Sequence, residues 1–86
     1  MSLKEETVKT IQARLDILKK SLVSEENSVQ YYQTLIEKTS QDTEENIGAR
    51  WMYEDLLEEE KTHVQTFHNL ISRWEERLEE KKASPS

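Results

Sequence analysis

The apolar residues of the N-terminal half fall at Val8, Ile11, Leu15, Leu18 and Leu22, and resume at Val29, Tyr32 and Ile36. Their steps alternate three and four without a break once Glu25 takes the place between Leu22 and Val29. The C-terminal half repeats the pattern at Tyr53, Leu57, Glu60, Val64, Phe67, Ile71, Trp74 and Leu78. Such alternation keeps every member on one narrow stripe of a helix, the seam by which helices pack in left-handed bundles. Each seam contains a single charged residue, and in both it is a glutamate. Glu58 and Glu59, beside Glu60 in the run "LLEEEKTH", fall off the stripe and are expected on a solvated face.

The spacing predicts one domain over residues 1–86, with a helix over about 3–38, a turn over about 39–43 and a helix over about 44–82. Ser2 and Glu5 have the spacing of a capping box at the first start. The polar stretch "TSQDTEEN" is the one plausible interruption, and Asp42 followed by Glu45 suits a cap for the second helix. Lys81 and Lys82 complement the negative end of that helix dipole. The expected fold is therefore all-α, an antiparallel two-helix hairpin.

Composition narrows the class. One glycine, one proline and 35% charged residues in 86 fit long helices. Only 34% of the chain is hydrophobic, little for a small domain that must build a core alone, so a homo-oligomer is expected. A net charge of −6 speaks against nucleic acid, whose phosphates need Lys and Arg. It suits the attraction of cations. No apolar run reaches the roughly 18 residues of a membrane span and no signal-peptide pattern is present, so no membrane partner and a cytoplasmic location are expected. The absence of cysteine excludes disulfides and a cysteine-ligated iron site.

The two seam glutamates carry the candidate chemistry. The midpoint between Glu25 and the Glu60–His63 pair falls in the predicted turn. Because both helices rise about 1.5 Å per residue, all three side chains are expected at one height. His63 lies about 60° around the helix from Glu60, and side chains three apart are neighbours. Burying an unpaired carboxylate costs several kcal/mol or forces protonation, and no Lys or Arg occupies either seam. A polar seam residue can also fix register in a non-catalytic helical assembly module. The preferred reading is metal ligation by Glu25, Glu60 and His63. One hairpin cannot enclose such a site, whereas two copies about a two-fold axis form a four-helix bundle. The shared site then holds four glutamates and two histidines, and two divalent cations balance its four negative charges. That is the ligand set of ferritin-like di-metal carboxylate bundles; mixed oxygen and nitrogen donors suit iron, with manganese as an alternative.

"EENSVQYY", with Glu25 and Tyr32 seven apart, followed by "LLEEEKTH", resembles the paired helices of the rubrerythrin and ferritin-like superfamily over most of residues 20–72. A single hairpin that must dimerise is most similar to the encapsulated ferritins. The resemblance implies Glu25, Glu60 and His63 as iron ligands, Tyr32 as a residue close behind them, and ferroxidase activity on Fe(II) with dioxygen. It also implies two irons per dimer, a ring-like oligomer of dimers, and an encapsulin shell as partner and compartment for iron storage. The "KKASPS" end departs from that pattern in carrying no apolar shell-targeting tail. A rubrerythrin-like di-metal redox protein is the alternative within the superfamily. His68, about 140° from His63, is expected at the surface or an interface. Trp51, opposite Glu60, with Ile47, Tyr31 and Val23 off the seams, suggests a dimer-to-dimer contact. Glu75, Glu76, Glu79 and Glu80 are expected on a solvated face.

Overall fold

A computed structural model describes residues 6–83 as two α-helices, α1 (Val8–Lys38) and α2 (Glu44–Ala83), joined by residues 39–43. No strand is present among the described residues. The helices run antiparallel: Ile11 and Leu15 near the start of α1 cluster with Ile71 late in α2, while Arg50 near the start of α2 reaches Ile36 near the end of α1.

The ends of the helices differ from the sequence expectation in two places. The Ser2–Glu5 box lies outside the described residues, and Glu6 and Thr7 precede α1 rather than belonging to it. Thr7, extended at φ −121° and ψ 167°, is the cap. Its hydroxyl accepts from the Thr10 amide at 3.1 Å, and the Thr10 hydroxyl accepts from the Thr7 amide at 2.8 Å. Two orphan amides of the first turn are thereby satisfied, with a threonine standing where Glu or Gln is usual. At α2 the cap is Thr43 rather than Asp42: the Asn46 amide donates to the Thr43 hydroxyl at 3.1 Å. A capping side chain reaches the amide three residues on, and with Glu44 opening the helix that spacing selects Thr43.

The turn is fastened from the opposite helix. The Arg50 guanidinium donates to the carbonyls of Ile36 and Thr39, the latter at 3.0 Å. A cation at the carbonyl end of α1 is favoured by both the unpaired acceptors and the helix dipole. At the far end Arg14 pairs with Glu6 at 2.6 Å and lies over the Trp74 ring at 3.9 Å. Arg77 approaches the same ring at 5.5 Å. Glu6 titrates below its ordinary value, chiefly because the Arg14 guanidinium hydrogen-bonds its charged form. Arg14 sits beside the seam rather than in it, with its guanidinium against the aromatic ring, one nitrogen (Nη2) on Glu6 and the other (Nη1) shielded from solvent without a hydrogen-bond partner.

Every seam position is buried or half-buried, while Glu58 and Glu59 are exposed. Among the described residues only Ile11, Leu15 and Ile71 are buried, with Leu18, Leu22, Trp74 and Leu78 packed against them. The reason is thickness. The molecule measures 65 × 21 × 14 Å, one layer of helices, each about 10–12 Å across with side chains. Both seams meet in the middle of that layer and stay open above and below it. Ile17, Val23, Tyr31, Trp51 and Met52 are more than half exposed.

Leu15→Ala is expected to lower the unfolding free energy by about 2–5 kcal/mol, the usual loss for a buried leucine. Val23→Ala, at an exposed position, should stay within about 0.5 kcal/mol of the parent. Urea unfolding followed by helical circular dichroism at one fixed protein concentration compares the two.

Candidate metal centre

Glu25 comes from the middle of α1 and Glu60 and His63 from the middle of α2, and the antiparallel pairing brings all three together. His63 Nδ1 lies 3.7 Å from Glu25 Oε2 and 3.9 Å from Glu60 Oε2. One donor atom from each of the three lies within 4.8 Å of the other two. These separations exceed a good hydrogen bond. The two His63–carboxylate separations are short enough for donors about 2.0–2.2 Å from a common centre, the bond lengths of a small divalent cation with nitrogen and carboxylate ligands.

The electrostatics are unresolved by the protein itself. Glu60 Oε2 is inaccessible to solvent and has no hydrogen-bond partner. The Glu60 carboxyl is raised above its ordinary value of 4.5, first because the neighbouring Glu25 carboxylate favours the protonated form, the only one that can donate a hydrogen bond to it. Burial and the Glu25 charge add to this, and the nearby His63 opposes it. In the fully ionised chain two carboxylates face one another with no Lys or Arg in contact, so that a proton or a cation is needed between them. The His63 side chain is 55% exposed, against 27% for Glu25 and 22% for Glu60. It is thus the flanking, reachable member. The donor set fits a divalent metal ion on three counts: mixed donors, two formal charges and an orphaned oxygen.

The cluster opens on one face of the layer, into a shallow groove of about 350 Å³ lined by Glu25, His63, Thr66 and Phe67. Thr66 was not visible as a site residue in the seam pattern. Its signal is local: it stands three residues after His63, hence beside it, and its hydroxyl is turned to the Thr62 carbonyl at 3.1 Å. Tyr32 is half-buried in its expected seam place and packs edge-to-face on Tyr31, ring centroids 5.4 Å apart. Among the described residues its hydroxyl makes no hydrogen bond to Glu25, Glu60 or His63. His68 is exposed and outside the cluster.

A pH dependence follows from the raised Glu60 value. The folded chain holds this proton more tightly than the unfolded one, so the contribution to stability is full below pH 4.5 and is lost as pH rises through the raised value. Glu60→Gln is neutral at every pH. In metal-free protein it should therefore match the parent near pH 4 and become the more stable of the two toward neutrality, as read by thermal unfolding in chelator across that range.

No family model, curated protein or solved structure matches the chain, which leaves the geometry and charge of the cluster as the grounds for its function.

Proposed function

We propose that the protein is a ferroxidase whose substrate iron is bound by Glu25, Glu60 and His63 at a site completed by a second copy of the chain. The observation that carries this reading is the pair of facing carboxylates, one with an orphaned oxygen, beside an exposed imidazole and, among the described residues, in no ion pair with Lys or Arg. Two hairpins docked through the His63 face bring together four carboxylates and two imidazoles, whose four negative charges two Fe(II) ions balance. Docking also supplies the second layer that an amphipathic helix pair needs to cover its seams.

The residues divide the work by charge and exposure. Glu60 releases its shared proton when iron binds and, with Glu25, provides an anionic cradle that favours the ferric over the ferrous ion. That preference drives electrons toward dioxygen: two Fe(II) give one electron each, and the two electrons with two protons reduce dioxygen to hydrogen peroxide. His63 adds a nitrogen donor to the carboxylate oxygens. Manganese suits the same donors, but the oxidation is the step assigned here. In the competing reading, a non-catalytic assembly module, the glutamate pair only sets helix register.

Anaerobic titration with Fe(II) is expected to saturate at about one iron per chain and to drive the chain into larger assemblies than it forms in chelator. Admitting air should then raise near-ultraviolet absorbance as oxygen is consumed. Glu60→Ala should abolish the oxidation, whereas Glu58→Ala, off the seam, should retain it. Wild-type protein that binds neither iron nor manganese would remove the metal reading and favour the assembly module. Binding without oxygen uptake would remove ferroxidase activity alone.

A further inference from the structure

The layer has a second open face, and its chemistry differs from that of the metal face. Lys61 and His63, two residues apart, project about 160° apart around α2. On the Lys61 side lies a groove of about 260 Å³ with Val29 and Val64 as its floor and Glu26, Gln30, Gln33 and Lys61 as its rims. Glu26 stands on the α1 rim and Lys61 on the α2 rim. They lie one residue beyond Glu25 and Glu60, hence within about 3 Å of the same height. Glu26 makes no ion pair among the described residues. Lys61 pairs with Glu58 of its own helix at 3.6 Å, with both side chains at least half exposed. Such an exposed pair contributes little and is readily exchanged.

Opposite charges at one height on opposite rims of a groove are what a two-fold axis parallel to the helices requires. Rotation about that axis sets α1 of one copy over α2 of the other with heights preserved. Glu26 then meets Lys61 of the second copy, and Lys61 meets its Glu26, over a floor of four valines. A two-fold at right angles to the helices would instead set glutamate on glutamate and lysine on lysine. The charges therefore select both the occupant and the axis. The area is adequate as well. A face about 45 Å long and 21 Å wide offers on the order of 900 Å² per copy, against about 800 Å² per partner in a standard interface.

We infer that this groove is a metal-independent self-association surface, in which two copies dock about a two-fold parallel to the helices through reciprocal Glu26–Lys61 pairs. It is separate from the metal face, and a chain carrying both surfaces assembles beyond a dimer when metal is supplied.

Sedimentation velocity in the presence of chelator keeps the metal face silent and isolates this contact. Wild-type chain should dimerise there. Glu26→Lys and Lys61→Glu, each alone, place like charges in both pairs and should weaken the dimer at least tenfold. An equimolar mixture of the two single variants should recover it, since every pair in the mixed dimer is again of opposite sign. The chain carrying both substitutions should self-associate as wild type does, which also controls for folding. Wild-type protein that stays monomeric in chelator, single variants that dimerise undiminished, or a mixture that stays monomeric would each overturn the inference. None of these outcomes bears on iron binding through Glu60, which the anaerobic titration reads separately.

Discussion

Two carboxylates held against each other at the middle of a helical hairpin set the terms for the rest of this molecule. Glu25 and Glu60 occupy positions that the seam otherwise gives to Leu, Val, Ile and aromatic residues. Their mutual repulsion and the orphaned Glu60 Oε2 oppose the packing around them. At the ends of the hairpin the chain meets its charges with partners of its own. Arg14 takes Glu6, and Arg50 takes the free carbonyls at the end of α1. At the centre it supplies nothing but a proton. The proposed metal site answers this unneutralised pair of carboxylates with a cation from solution.

The second constraint is geometric. A 14 Å layer cannot bury two apolar seams, and among the described residues burial is confined to Ile11, Leu15 and Ile71 at the end remote from the turn. The two faces are unequal. One exposes His63 and the groove beside Thr66 and Phe67; the other exposes two valines between an acidic and a basic rim. The proposed iron site uses the first face and the proposed self-association uses the second. Together they give each open side of the layer a separate occupant and a separate dependence on metal.

Much of this was legible in the three–four alternation. It separates Glu60 from Glu58 and Glu59 and places Glu25 at the height of the Glu60–His63 pair, because antiparallel helices rise at equal rates. The pattern carried less information at the ends of the helices. Thr7 and Thr43 were overlooked because a cap depends on where the backbone leaves extended geometry, and the Ser2 and Asp42 spacings satisfied the same rule on paper. Arg14 escaped because a residue beside the seam can still set its guanidinium against Trp74. Thr66 and the Glu26–Lys61 groove depend on which side of the layer a residue faces, and that emerges only when both helices are set side by side. The place of Tyr32 behind the ligands came from resemblance rather than spacing.

The most direct test of the cation site is the thermal unfolding of the chain with and without anaerobic Fe(II), set beside the same pair for Glu60→Gln. Ligand that binds the folded chain alone raises its stability in proportion to the logarithm of its concentration. Wild-type protein should melt higher with iron, by a margin that grows with iron concentration, while Glu60→Gln loses most of that margin despite being the more stable of the two in chelator. An equal rise in both proteins, or none in wild type, would contradict a metal centre at Glu25, Glu60 and His63.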